Sequence, residues 1–201
     1  MDNNNQVTVS GKVISAFSFS HESYGEKFYS FHVAVLRKSG MPDIIPIIVS
    51  EHLIDITKDY SEEYIQINGQ FRSYNQHDGD SVRLILSVFA ESVEFGSPND
   101  EDRNVVCLDG YICKAPSYRK TPLGREISDI LIAVNRHCGK SDYIPCVSWG
   151  RNAKYASTLN VGSRIQIVGR IQSREYVKVL DGKEVTRTAY EVSVMNLEQM
   201  E

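Results

Sequence analysis

Apolar and polar residues in this chain alternate with a period of two, and helical spacing is rare. In the first half Val7, Val9 and Val13, then Phe31, Val33 and Val35, sit at alternate positions, which places each set on one face of a half-buried strand. The corresponding strands of the second half are expected over about 105–118 and 125–137. A third, short apolar strand covers 43–49 and again 142–149, and a helical stretch follows each, over roughly 51–60 and 151–159. A fourth strand, 64–74 or 164–178, leads through Asp78-Gly79 or Asp181-Gly182 into a fifth. Asp-Gly between strand-like runs is a strong signal for a tight hairpin.

The pattern occurs twice because the sequence does. A shift of 99 residues matches Val7 with Val106, Gly11 with Gly110, Ala34-Val35 with Ala133-Val134, Arg37 with Arg136, Asp43 with Asp142 and Ile45-Pro46 with Ile144-Pro145. After one inserted residue, Ile65-Gln66-Ile67 matches Ile165-Gln166-Ile167 and Gly69 matches Gly169. Such self-similarity marks a duplication. Five strands with one helix between the third and fourth is the order of the OB-fold barrel. The expected architecture is therefore all-β: two tandem five-stranded OB-fold barrels, each with one helix between strands 3 and 4. Gly11, Gly110, Gly69 and Gly169 suit the sharp bends such long strands need. The polar segment from Gly96 to Asn104 reads as a linker, which divides the chain into domains 1–95 and 105–201.

Composition adds less than charge does. Hydrophobic residues at 41% and charged residues at 24% are ordinary for a globular protein. The longest apolar run, Ile44 to Val49, contains Pro46 and falls far short of the roughly 18 residues of a membrane helix. The N-terminus lacks the basic start and apolar stretch of a secretory signal, so a cytoplasmic protein is expected. The four cysteines, Cys107, Cys113, Cys138 and Cys146, form no C-x-x-C pair, and no metal or cofactor is expected. Gly139-Lys140-Ser141 lacks the earlier Gly of a phosphate-binding loop, since position 134 is Val, and His21-Glu22 lacks the second His of a zinc-protease helix. Nothing points to a reaction. The overall charge of −4 conceals an asymmetry: residues 1–103 hold 8 basic and 16 acidic side chains, net −8, and residues 104–201 hold 14 and 10, net +4. That split suits a polyanion bound by the second half.

OB barrels hold single strands by stacking bases on rings and by tracking phosphates with Lys and Arg. The second copy has both. Tyr143 and Trp149 lie six residues apart on strand three, an even spacing that puts them on one face, and Tyr176 falls near the end of strand four. Arg119, Lys120, Arg136, Lys140, Arg151, Arg170, Arg174 and Lys178 surround them. In the first copy Ile44 and Ser50 replace the two rings, and His21, Glu26 and His52 replace Lys120, Arg125 and Arg151. The expectation is that the second copy holds the strand and the first supports assembly or partner contact, with Tyr24, Phe28, Tyr29 and Tyr74 leaving it a weaker binding role as an alternative.

The runs Asp109-Gly-Tyr-Ile, Pro116-Ser-Tyr-Arg-Lys-Thr-Pro-Leu-Gly124, Tyr143-Ile-Pro-Cys-Val-Ser-Trp-Gly-Arg-Asn-Ala153 and Val161-Gly-Ser followed by Val168-Gly-Arg170 resemble the bacterial single-stranded DNA-binding protein family. The resemblance covers almost all of the second copy and reaches the first only through the repeat. It implies base stacking on Tyr143, Trp149 and Tyr176. The family's further aromatic at the end of strand two falls near His137 or Cys138, so that platform is missing. Family members usually carry one OB fold per chain and assemble four, so two per chain imply a homodimer. They also usually end in a disordered acidic tail that recruits replication and repair proteins, whereas this sequence ends at Met200-Glu201, and recruitment by that route is not expected. The resulting expectation is a sequence-tolerant binder that coats single-stranded DNA in replication, recombination or repair. Two alternatives are an OB-fold protein-interaction subunit of a primosome-like assembly and an RNA binder.

Overall fold

The structure is a computed structural model that describes residues 4–78, 81–97, 101–180 and 183–200. The N-terminal half contributes β1 (Asn5–Val13), β2 (Ser18–Ser23), β3 (Glu26–Leu36), β4 (Pro42–Ser50), β5 (Tyr64–Asp78) and β6 (Ser81–Phe95). The C-terminal half contributes β7 (Arg103–Lys120), β8 (Glu126–Asn135), β9 (Ser141–Trp149), α1 (Arg151–Ala156), β10 (Arg164–Leu180) and β11 (Lys183–Gln199). The residues between β5 and β6 and between β10 and β11, Gly79, Asp181 and Gly182 of the expected Asp-Gly turns among them, lie outside the described residues. Among the described residues no helix is long and apolar enough to cross a membrane.

Each half closes its strands into a ring. In the first, β1 pairs with β3 and β5, β3 with β4, β5 with β6, and β4 with β6 in parallel. In the second, β7 pairs with β8 and β10, β8 with β9, β10 with β11, and β9 with β11 in parallel. The alternation seen in the sequence points inward: Val9, Val33, Ile45, Ile67 and Phe71 fill one ring, and Leu108, Ile132, Ile144, Ile167 and Ile171 the other. Cys146 joins that second core, where burial pushes its thiol pKa up. The ladder slips register at Gly69 and again at Gly169. A Cβ there would collide with the carbonyl of Phe89 or of Ser193, so only glycine lets the bulge close the ring.

The copies differ in two places. The first long strand is continuous in β7, with two register shifts, but is broken into β1 and β2 in the N-terminal half. The helix expected over 51–60 is absent, and that segment forms turns. Local chemistry explains the correction. The Asp55 carboxylate accepts bonds from the Thr57 amide and hydroxyl, Asp59 accepts one from the Ser61 amide, and β-branched Ile54, Ile56 and Thr57 add crowding. In the second copy Asn152-Ala-Lys-Tyr-Ala156 has no such competitor, and Ala153 and Ala156 pack inward from α1.

The rings are joined along β1 and β7, which run antiparallel with Val7 opposite Val106. These two are equivalents in the repeat, so the ladder maps onto itself as in a two-fold dimer interface. Matching clamps brace it. Asn5 bonds both the amide and the carbonyl of Phe71, and Asn104 does the same to Ile171. Arg103 and Asn104, read from the sequence as linker, are already strand.

Candidate nucleic-acid interface

The outer face of β7–β8–β9 is built by strand alternation and cross-strand pairing. On β9, Asp142, Ile144 and Cys146 turn inward, which leaves Tyr143, Pro145 and Trp149 outward. Tyr143 pairs across with Ala133, and Ala133 with Tyr111 on β7. Trp149 pairs with Ile127, and Ile127 with Arg119. Two rows therefore cross the sheet, Tyr111–Ala133–Tyr143 and Arg119–Ile127–Trp149, separated by Lys114, Leu131 and Pro145. Tyr111, Tyr143 and Trp149 are 42%, 47% and 41% exposed, so each ring is anchored on one side and open on the other. Such rings can stack with a flat ligand at little ordering cost, since few rotors remain to be fixed.

The expected basic residues fall into three groups. Arg151 and Lys140 are exposed and have no carboxylate partner among the described residues. Arg119, Lys120 and Arg174 are exposed but partly neutralised. Arg119 donates two bonds to Asp129, Lys120 lies 4.0 Å from Glu126, and Arg174 lies 3.7 Å from Glu191. Tyr118 also donates to Glu126 at 2.9 Å, and that bond, helped by Lys154, holds the carboxyl below the usual carboxylate range. Arg136 and Arg170 form the third group, at the seam between rings. Arg136 clamps Asp142 with Nε and Nη2, which raises its own pKa, and also donates to the Ser73 carbonyl of the N-terminal ring. Arg170 reaches Asp43, the equivalent carboxylate, 3.1 Å away, which Arg37 also holds. Both aspartates are buried, and a buried carboxylate stays charged only beside a cation. The side chain of Lys178 lies outside the described residues.

Tyr176 stands apart from the two rows. It lies on β10 opposite Arg187, half-buried in a cleft of about 480 Å³. Pro145 lines that cleft as well, together with Pro46 and Arg83 of the N-terminal ring, so it opens from the middle of the β9 face toward the seam. The matching face of the N-terminal ring has Ile44, Pro46 and Ile48, and Ser50 is buried against Glu26. Tyr111, Lys114 and Lys154 were not singled out from the sequence. For Tyr111 and Lys114 the signal was the register between β7 and β8, which the two bulges in β7 obscure, and for Lys154 it was the contact with Glu126 across from α1.

Comparison with known proteins bears on this face. The Single-strand binding protein family matches residues 103–200. That match falls on the half of the chain that carries the exposed rings. Single-stranded DNA-binding protein 2 of Listeria innocua is 38% identical over 89 residues, 41% of this chain and 55% of that protein. Single-stranded DNA-binding protein A of Bacillus subtilis is 39% identical over 80 residues, 36% of this chain and 46% of that protein. The chain spans about half the length of these curated relatives. Crystal structures of the Thermus aquaticus single-stranded DNA binding protein cover both rings. The wild type matches with a TM-score of 0.77 over 98% of this chain and 93% of that one at 20% identity. A deletion mutant reaches 0.78 over 98% and 94% at 19%. The likeness at that identity is one of fold, all-β in both halves.

Proposed function

We propose that the chain binds single-stranded DNA without sequence choice and that its OB domains, 1–95 and 105–201, divide the work, the second holding the strand. The observation that carries this reading is the open face of β9: Tyr143 and Trp149, in phase and half-exposed, beside Arg119, Lys120, Lys140 and Arg151. Tyr176 and Arg174 extend the contact toward the seam, whereas Arg136 and Arg170 act there as braces. The names of the Listeria and Bacillus relatives support DNA as the ligand. In this reading the protein coats exposed strands in the cytoplasm during replication, recombination or repair, as a homodimer that brings four OB folds together.

The test is a titration of Trp149, the only tryptophan, with oligo-dT at two salt concentrations. Quenching is expected, with an affinity that falls as salt rises by about 0.7 logarithmic units per phosphate contact per decade of salt. Absence of quenching, together with recovery of a stoichiometric protein partner, would favour the protein-interaction alternative. A matched RNA oligomer binding equally well would remove the preference for DNA.

A further inference from the structure

A cavity of about 390 Å³ lies beside the Arg136–Asp142–Ser73 contact, where the two rings meet. Arg72, Tyr74, Phe89 and His21 of the N-terminal ring line it, with Arg136 of the C-terminal ring, and among the described residues no carboxylate does. Arg72 is held by its face and one edge. Its Cζ lies 3.9 Å over the Phe89 ring, Phe89 lies 5.3 Å from Phe28, and Phe28 stacks on His21 at 4.8 Å. Its Nε and Nη2 both reach Gln70 Oε1 at 3.2 Å. Arg136 is fixed by Asp142 and Ser73 through Nε and Nη2. Among the described residues neither Nη1 has a partner, so two pre-positioned guanidinium edges with unused donors border one cavity.

Their charges act on one another. Burial, and then the charge of Arg136, pushes the Arg72 pKa down, and Asp142, which opposes this, is already engaged by Arg136. An anion placed between them would relieve that repulsion and take up the spare donors in charge-assisted bonds. The ring face leads to this point. Ser73 Oγ accepts the Tyr143 amide at 2.8 Å, so the cavity begins where the face of Tyr143 ends, and Tyr74 stands exposed at its edge. We propose that this cavity grips one phosphodiester of the bound strand as it passes from the C-terminal ring to the N-terminal one, with Tyr74 stacking on the adjacent base. The inference rests on the single-strand reading above and assigns the N-terminal copy a contact that its net acidity conceals.

Oligo-dT of about 8 and about 30 nucleotides, one within the site size of a single barrel and one beyond it, separates the two ideas. Wild type is expected to quench with both. Arg72→Met is expected to weaken the long oligomer about tenfold and lower its salt slope by about 0.7, with the short one unchanged. Exposed Tyr74→Ala, whose fold is not at risk, is expected to weaken the long oligomer about fivefold or more and leave its salt slope alone. Wild-type affinity and slope for the long oligomer in both variants overturns the inference while the DNA reading stands. Stabilisation by inorganic phosphate that is lost in Arg72→Met, with DNA binding untouched, also overturns it and assigns the cavity to a free anion. Failure of wild type to quench with either oligomer overturns the DNA reading, and this inference with it.

Discussion

Strands β4 and β9 occupy the same place in their rings and face outward with different chemistry. Both keep the inward carboxylate (Asp43, Asp142) and the outward proline (Pro46, Pro145), and each carboxylate is held by an arginine six residues earlier. Outward, β9 offers Tyr143 and Trp149, and β4 has Ile44 and Ser50. What recurs between the copies closes the rings and binds them together, and what differs faces outward on the proposed binding strand. Internal comparison of a duplicated chain thus separates scaffold from function without reference to any other protein.

The largest test falls on the shared part. Asp142→Ala would strand the partly buried guanidinium of Arg136 and remove the acceptor of the Ser73 amide, at a cost of about 3–5 kcal/mol in chemical denaturation. A loss below about 1 kcal/mol would show that the seam does not depend on this pair. The differing part comes next. Tyr143→Ala, read through Trp149, is expected to weaken oligo-dT binding by about 1–3 kcal/mol, and Ile44→Ala at the equivalent position to leave it unchanged. Equal effects from both would erase the functional contrast. Arg151→Ala, which removes a cation beside Trp149 that has no carboxylate partner among the described residues, is expected to lower the salt slope by about 0.7, while His52→Ala at the equivalent position does not.

The smallest effect concerns His32, whose counterpart is Leu131. Burial lowers the His32 pKa. The unfolded chain therefore takes up a proton before the folded one as pH falls, and stability declines once pH drops through about 6.5. Above that pH both states are neutral and the residue contributes no pH dependence. His32→Leu should flatten the fall in melting temperature between about pH 7.5 and 5.5, and an unchanged slope would assign the acid sensitivity elsewhere.

Much of the fold was legible because it follows from local pattern. Alternation gave the strands, and glycine at 69 and 169 marked the bulges. The helix expected at 51–60 does not form, because Asp55 and Asp59 bond nearby backbone amides instead. Tyr143 and Trp149 could be placed in phase from spacing alone. Arg136 and Arg170 could not be sorted from the other basic residues, because their partners lie across the seam or inside a ring. The recurrence of Arg37 with Asp43 and Arg136 with Asp142 carried that information, but it reads as pairing only once the strands are closed. The His21–Phe28–Phe89–Arg72 stack draws on β2, β3, β5 and β6, so no stretch of sequence shows it.

The antiparallel ladder between β1 and β7 has a consequence for concentration. Two free subunits meeting through such an edge would separate on dilution, and their stability would depend on how much protein is present. Here both edges belong to one polypeptide, so each meets the other at an effective concentration set by the short connection between β6 and β7. Dilution that separates one chain from another should therefore leave the two rings of each chain paired.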